Sequence, residues 1–384
     1  MDDRRSFFIP KTFSRQKAEP SFTDSERRIL SLLRQEEGLS RAELARRIGL
    51  SNQAVIKIID NLMTLGLVCA GERVVAGPGQ PSVPMSLSDD AAFGFGVSLQ
   101  NDRLTLVLAS LTGKVLAQDS LSVATSDRDA VISALKTAMA RQVSRTGVPQ
   151  ARIFSLGFAA SGFFVGRAGQ LNAPKSLEAW ALRDLEGELS QAFALPVWVE
   201  NDGSAAAVGE SLYGRGHTCG NFAYIYIDQG LGGGVIAGNR LWRGANGNAG
   251  EFTGLLPPSL RQARPTLPLL KEVLRAHGVA DACLQSLSST FDLSWPGVEA
   301  WLERIHPALT QIVAAIAAVH DPEAIVIGGN LPSPLVRVMA ERTTFYEVPV
   351  RGLERPFPAV VASEAEGDAV AFGAAALPFM HHFF

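Results

Sequence analysis

The sequence predicts an α/β protein in which a small helical module precedes a larger body of alternating strands and helices. Two capping boxes and a serine cap mark three short helices between residues 23 and 64. From Phe93 onward, short apolar runs alternate with helical stretches, which is the pattern of an α/β body. A chain of 384 residues is too long for one compact core, so we expect two or three domains.

The charge distribution separates the two parts of the chain. The net charge of −3 excludes a strongly basic nucleic-acid coat, but residues 1–85 carry +3 and residues 86–384 carry −6. A mildly basic front on an acidic body fits a small DNA-binding module joined to a ligand-binding body.

The cysteines and the apolar segments indicate a cytoplasmic protein. Cys69, Cys219 and Cys283 are far apart and odd in number, so they form neither a disulfide framework nor a metal pair. We expect buried thiols in a reducing compartment. The N-terminus lacks the apolar segment of a signal peptide, and the longest apolar run, residues 312–319, is too short to span a bilayer. We therefore expect no membrane partner.

The helical module has the order of a winged helix-turn-helix. After an aperiodic tail, residues 1–22, helices begin at Thr23-x-x-Glu26, at Ser40-x-x-Glu43 and at Ser51. Strand candidates at residues 65–68 and 74–75 would form a wing that ends in a Gly-Pro turn, residues 77–81. We place this domain at residues 23–88.

The third helix of such a module enters the major groove of double-stranded DNA. Asn52 and Gln53 can pair bidentately with adenine, Lys57 suits guanine or phosphate, and Arg41 could hold a backbone phosphate. Ser51 begins the same helix. The alternative is a three-helix interaction domain with a solvated polar face, but the two capping boxes, the spacing and the wing favour DNA.

The body is predicted as an α/β fold. Strand candidates are residues 95–99, 104–108, 115–117, 153–158, 197–199, 222–227, 235–237 and 324–327. Helix candidates are residues 129–145, 182–192, 204–212, 297–320 and 335–341.

A glycine-rich run, Asp228–Gly234, is typical of a turn that cradles phosphate with its backbone N–H groups. Asp228 opposes that use. At about 5 Å and an effective dielectric of about 20, two unit anions repel by roughly 3 kcal/mol. A helix N-terminus offers a surface anion only about 0.3–1 kcal/mol. If Asp228 is ionised and points inward, repulsion wins; the alternative is that it turns outward or bonds to neighbouring N–H groups.

The order and spacing of the loop motifs resemble the ROK family of repressors and sugar kinases over about residues 25–380. The family has a two-lobed actin-like ATPase (ribonuclease H-like) fold that binds sugar and nucleotide, and its regulators carry a winged helix-turn-helix in front. The resemblance implies a first lobe at residues 89–200 plus 366–384 and a second lobe at residues 201–365.

Several residues match the family's sugar-binding positions. Asn201-Asp202 resembles the Glu-Asn-Asp motif, whose aspartate is the family's catalytic base, although the same pair could simply cap a helix. Asn172 resembles the Asn-x-Pro contact, although Asn-Ala-Pro is also a common turn. Glu251 matches a sugar-binding glutamate, but the family's histidine is replaced by Gly254. Ser161-Gly162 stands where the family has Pro-Gly.

The departures from the family concern phosphate and metal. The resemblance aligns Ser98, Gln100 and Asn101 with the first phosphate loop, where the metal-organising carboxylate and two glycines are lost. The second loop, Gly-Thr-Gly in the family, reads Asp228, Gln229 and Gly230 here. The family's zinc cysteines are absent. We therefore expect no bound metal, no cofactor and no kinase activity.

A further departure concerns the wing, where the family's Gly-Arg-Pro reads Gly79-Gln80-Pro81. Gln80 can still bond to minor-groove acceptors but brings no charge, so we expect a weaker preference for A·T pairs there.

The sequence thus predicts a homodimeric, DNA-binding pseudokinase that senses a carbohydrate-like molecule and regulates transcription. We expect the ligand to act by favouring one lobe conformation. One rival hypothesis is a sugar kinase fused to a DNA-binding domain; another is a DNA-binding protein with a ligand-free body.

Overall fold

A computed structural model describes residues 22–72, 83–166, 170–345, 349–365 and 367–384. The chain folds into two compact units. Unit 1 comprises residues 1–159, 184–200 and 374–384, and unit 2 comprises residues 160–183 and 201–373. Residues 160–183, expected in the first lobe, cluster with unit 2, and this places all the expected sugar contacts in one unit.

The helices and strands confirm the α/β class. The helices are α1 Asp24–Gln35, α2 Arg41–Ile48, α3 Asn52–Thr64, α4 Arg128–Thr146, α5 Leu185–Phe193, α6 Asp202–Tyr213, α7 Leu267–Ala276, α8 Asp281–Gln285, α9 Leu287–Thr290, α10 Val298–His320, α11 Ser333–Arg342 and α12 Ala369–His382. The strands are β1 Leu39–Ser40, β2 Val68–Ala70, β3 Pro84–Leu87, β4 Phe93–Leu99, β5 Leu104–Ser110, β6 Val115–Leu121, β7 Ile153–Ala160, β8 Phe163–Val165, β9 Gln170–Asn172, β10 Val197–Asn201, β11 Phe222–Ile227, β12 Leu231–Ala237, β13 Arg240–Leu241, β14 Ala324–Gly329 and β15 Ala359–Ala362.

The N-terminal helices start where the sequence predicts. The Thr23 and Ser40 hydroxyls each accept from the backbone N–H three residues on, and Glu26 and Glu43 bond back to complete both capping boxes. The Ser51 hydroxyl accepts from the Ala54 N–H at 3.3 Å and begins α3. These caps satisfy helix N–H groups that would otherwise lack partners.

The wing is a three-stranded sheet in the order β1-β3-β2. Its β2 begins at Val68, where the predicted strand ends, and β3 was not predicted. Strand β3 was missed because it begins at Pro84. A proline argues against a strand in sequence-based prediction, although it is tolerated at a strand's first residue. Residues 74–75 and the turn at residues 77–81, which includes Gln80, lie outside the described residues.

The rest of unit 1 is built on a five-stranded sheet in the order β10-β7-β4-β5-β6. Strands β4 and β5 are buried throughout and pair antiparallel from Phe93↔Ser110 to Leu99↔Leu104. Helix α12 reaches this unit with its second half. A Cβ on Gly157 would lie 1.8 Å from the Ala374 carbonyl oxygen, so only glycine allows this helix to approach β7 so closely.

The end of α12 shares one apolar core with the winged helix. The Phe383 ring centroid lies 5.4 Å from that of Phe22, in a tilted pair, and 5.3 Å from that of Phe154, in an edge-on pair. The Arg34 guanidinium lies 5.2 Å from the Phe384 ring, and Arg27 donates to the His381 carbonyl oxygen at 3.1 Å. Phe383 and Phe384 are therefore part of the hydrophobic core beneath α1.

Unit 2 is built on a second five-stranded sheet in the order β13-β12-β11-β14-β15. Strand β11 pairs parallel with β14 and antiparallel with β12. A separate hairpin, β8 with β9, pairs Phe163 with Asn172. In the parts of the chain that the structure describes, no helix is both long and apolar enough to cross a bilayer.

Candidate ligand site and nucleic-acid interface

The first turn of α6 organises the candidate ligand site in unit 2. Strand β10 ends at Asn201, whose side-chain oxygen accepts from the Ser204 N–H at 3.0 Å and caps α6. The Asn201 amide nitrogen donates to the Gly162 carbonyl oxygen at 2.6 Å. Asn201 therefore does cap the helix, and it also joins α6 to the segment that precedes β8.

Asp202 is the central acidic group of this site. Its carboxylate accepts from the Ser161 hydroxyl and, at 2.9 Å, from the Gly203 N–H. The residue keeps part of its surface accessible, but protein atoms enclose the carboxyl group. This desolvation raises the pKa of Asp202, and the hydrogen bonds from Ser161 and Gly203 oppose the rise.

Glu251 supplies a second carboxylate. The residue is exposed, but desolvation of its carboxyl group raises the pKa of Glu251, and the negative charge of Asp202 raises it further. Two hydrogen-bond acceptors of like charge suit a neutral ligand that offers hydroxyl donors, and they disfavour an anion.

Gly162 and Asn172 complete the set. Gly162 has φ 145°, and a Cβ there would lie 2.7 Å from the Asn172 carbonyl oxygen, so the close approach of these two segments requires glycine. These contacts bring together five of the expected residues: Ser161, Gly162, Asn172, Asn201 and Asp202. Glu251 is linked to this set by the effect of the Asp202 charge on its pKa.

The glycine run is only partly a turn. Residues 228–230 turn between β11 and β12, with the Asp228 N–H donating to the Gly230 carbonyl oxygen at 2.9 Å. Asp228 is 6% exposed and does not turn outward to solvent, whereas Gln229 and Gly230 are exposed. Its charge lies near Tyr226, where it adds to burial in raising the pKa of that phenol.

The remaining glycines of the run lie in β12, where Gly233 and Gly234 are closely packed. A Cβ on Gly233 would lie 2.0 Å from the Tyr224 carbonyl oxygen, and one on Gly234 would lie 2.7 Å from the Ala207 Cβ. Gly203 is restricted in the same way by Gly233. The expectation of a phosphate turn over the whole run is therefore wrong for residues 231–234, which form the start of β12. Close packing explains Gly233 and Gly234, whereas Gly232 has open space around it.

The loop aligned with the first phosphate site lies in unit 1 and forms a tight turn after β4. Ser98 and Gln100 are buried, and Asn101 is exposed. The Gln100 side-chain oxygen accepts from Arg103, and the Gln100 N–H donates to the Arg103 carbonyl oxygen at 2.9 Å. Among the described residues, no cluster of three His, Cys, Asp or Glu side chains could hold a metal ion.

Glu210 is a structural residue that the sequence analysis missed. It lies inside α6 with no exposed surface, and its carboxylate accepts from the Ser363 hydroxyl at 2.6 Å and from the N–H groups of Arg215, Glu364 and Ala365 at 2.9 to 3.1 Å. A glutamate in the middle of a helix of small residues was the signal available in the sequence.

The candidate DNA-binding surface is the outer face of α3. Asn52, Gln53 and Lys57 are exposed on this helix, as predicted from its periodicity. Arg41 pairs with Asp60 of the same surface at 3.1 Å, so part of its charge is already neutralised. Gln80 lies outside the described residues.

Comparisons with known proteins agree with the fold and with the order of the two parts. Residues 95–260 match the ROK family, and residues 22–68 match a winged helix-turn-helix DNA-binding domain. The chain is 29% identical over 368 residues to an uncharacterized protein, y4fQ, of Sinorhizobium fredii, a match that covers 95% of this chain and 93% of that protein.

Two further comparisons show similarity to proteins described as regulators. A xylose repressor of Caldicellulosiruptor bescii is 24% identical over 224 residues, and the match spans 58% of this chain and 56% of the repressor. A solved ROK family transcriptional regulator, a homolog of the E. coli MLC protein, superposes with a TM-score of 0.64 at 21% identity and covers 93% of this chain and 96% of its own. This chain therefore carries a ROK family domain at residues 95–260, preceded by a winged helix-turn-helix at residues 22–68.

Proposed function

We propose that the protein is a transcriptional regulator of the repressor class whose unit 2 binds a carbohydrate-like molecule without phosphorylating it. The observation that carries the proposal is the set of polar groups at the start of α6, where Ser161 and Asn201 bond to Asp202, whose charge also acts on Glu251. Paired carboxylates accept hydrogen bonds from the hydroxyl groups of a neutral ligand. The xylose repressors among the relatives support the same ligand class.

The absence of phosphoryl transfer is proposed from the two loops. In the first loop, Ser98 stands where the resemblance places the metal carboxylate, and Gln100, which accepts from Arg103, stands where the family has a glycine. In the second loop, Asp228 is buried. Transferring a phosphoryl group needs the charge of a metal ion and of N–H or cationic groups around it. A carboxylate in the second loop adds repulsion toward a phosphate group, and the loss of the metal carboxylate in the first loop removes a group that would hold the metal ion.

One observation favours the second candidate function, a sugar kinase with a fused DNA-binding domain. Burial raises the pKa of Asp202, as is useful in a general base. An assay with Mg-ATP and a panel of sugars separates the two. Sugar-dependent formation of ADP that disappears in Asp202→Ala would reject the regulator-only proposal.

The DNA-binding part of the proposal rests on α3. We propose that a homodimer presents two copies of α3 to a symmetric operator in the DNA upstream of its own gene or neighbouring genes. A mobility-shift assay on that DNA tests it, with Lys57→Ala and Gln53→Ala as surface variants. Retained binding after removal of residues 1–85 would contradict the assignment.

A regulator also needs a connection from ligand to DNA, and we propose that α12 provides it. In unit 2 the start of α12 is held against α6, since a Cβ on Gly373 would lie 1.7 Å from the Ala205 carbonyl oxygen. Glu210 of α6 also holds residues 363–365, just before α12. In unit 1 the end of the same helix packs beneath α1 of the winged helix.

Helix α6 begins in the ligand site, so ligand-induced movement of its first turn reaches α12 directly. The ligand changes DNA affinity only if it binds better to one position of these helices than to another. Fluorescence anisotropy of labelled operator, measured with and without sugar, tests this coupling.

A further inference from the structure

We infer that Phe163 forms an aromatic platform in the ligand site and that the ligand is a ring sugar with an apolar face, rather than an open-chain polyol. This inference rests on the proposed function and specifies its ligand. Phe163 is 44% exposed, so its ring is accessible to a ligand.

The hairpin places Phe163 beside the polar groups of the site. It pairs with Asn172 across β8 and β9, and paired residues of an antiparallel hairpin present their side chains on the same face. The preceding residues, Ser161 and Gly162, are the ones bonded to Asp202 and Asn201. An exposed ring thus adjoins the groups that would bind hydroxyls.

The exposure of Phe163 is not a consequence of a loose loop. The Asn248 side chain holds the next residue, Phe164, through both its N–H at 2.7 Å and its carbonyl oxygen at 2.8 Å. The Phe164 ring is buried, with the Arg243 guanidinium 5.4 Å from its centroid. Because Phe164 points inward and is fixed, the backbone presents Phe163 outward.

The ligand class follows from this combination. A pyranose has hydroxyl groups at its edge and C–H bonds on its face, so one molecule can bond to Asp202 and Glu251 and cover an aromatic ring. An open-chain alditol offers the same hydroxyls without a rigid apolar face. Binding pockets commonly combine apolar surface with a few polar groups in this way.

The test is calorimetric titration of the full-length protein with methyl pyranosides of glucose and xylose and with the matching alditols, glucitol and xylitol. We expect a pyranoside to bind, the alditols to bind at least about tenfold more weakly, and Phe163→Ala to remove most of that difference. Phe163→Trp should retain binding. The matched control is Leu293→Ala, which truncates a side chain that is 43% exposed elsewhere in unit 2.

The outcomes separate this inference from the proposed function. If a pyranoside binds Phe163→Ala as tightly as the wild type, or if alditols bind as well as pyranosides, the platform is refuted while the sugar-sensing proposal stands. If no member of the panel binds the wild type, both are refuted for this ligand class.

Discussion

Replacing Phe383 by alanine tests whether the end of α12 supports the DNA-binding domain. Its side chain is 1% exposed and lies in ring contact with Phe22, Phe154 and Phe379, with the last centroid at 5.9 Å. Phe22 stands directly before α1, so the Phe383→Ala change removes support from beneath the winged helix. No polar group is altered, and the site around Asp202 is untouched.

The magnitude follows from burial. Replacing a buried phenylalanine by alanine costs about 3–5 kcal/mol, since apolar contacts are lost and a cavity remains. Each aromatic pair contributes about 0.5–1.5 kcal/mol beyond its buried area, and three pairs are lost, so the upper half of that range is expected. A domain typically has only about 5–15 kcal/mol of stability, so the winged helix should unfold at a distinctly lower temperature.

The assay combines thermal unfolding with operator binding. We expect Phe383→Ala to lower the unfolding temperature of the winged helix, to increase its hydrogen exchange and to weaken operator binding at 37 °C, while sugar binding is retained. The control is Phe345→Ala, which breaks a ring stack at 4.5 Å with Phe357 in unit 2 and should leave operator affinity unchanged. Wild-type unfolding and wild-type operator affinity in Phe383→Ala would refute the reasoning.

Three further changes have defined outcomes. Gly373→Ala should lower the free energy of unfolding by about 1–3 kcal/mol or more and abolish the effect of sugar on operator affinity, because its Cβ cannot lie 1.7 Å from the Ala205 carbonyl oxygen. The control is Gly232→Ala, since open space surrounds Gly232. An unchanged sugar response in Gly373→Ala would reject α12 as the connection. Burial lowers the pKa of His382 to about 3, below its unfolded value, so the neutral imidazole stabilises the fold above about pH 6.5 and this stabilisation is lost as the pH falls. In His382→Leu, the free energy of unfolding should therefore depend less on pH in the acid range. Asp202 has a raised pKa, so its ionisation destabilises the fold as the pH rises through that value; Asp202→Asn should be more stable than the wild type at pH 7 and lose that advantage near pH 4, whereas equal stabilities at both pH values would contradict it.

Local signals in the sequence predicted most of the N-terminal module. The capping boxes at Thr23 and Ser40 and the cap at Ser51 each form as expected, because a cap depends on residues only three positions apart. The fold class of the body was predicted equally well. Helix α12 was not predicted, since Ala369–His382 is apolar on all sides and contains Pro378, and a fully buried helix has no amphipathic period.

The sequence indicated which residues belong to the candidate site, but not all of the hydrogen bonds that they form. The resemblance to the family selected Ser161, Gly162, Asn172, Asn201 and Asp202, and the structure brings these residues together. Capping of α6 by Asn201 was one of the two alternatives given for this residue, but the bond from its side chain to the Gly162 carbonyl oxygen could not be predicted. Such bonds depend on contacts between segments about 40 residues apart, and a single sequence carries no direct record of them.

The glycine run shows why glycines alone are weak evidence for a phosphate site. The approach of β12 to α6 requires Gly234, and contact with Tyr224 of β11 and with the Phe252 ring requires Gly233. Both requirements hold whether or not a nucleotide binds. A kinase-like scaffold that stopped binding ATP would therefore keep these glycines to preserve its packing. The residue that carries information is Asp228, because packing against α6 does not demand a buried carboxylate at a turn. Replacing Asp228 by glycine should leave the fold intact, and we expect no phosphoryl transfer in that variant because Ser98 still stands where the resemblance places the metal carboxylate. Appearance of kinase activity in Asp228→Gly alone would show that one carboxylate, rather than two altered loops, separates this protein from a sugar kinase.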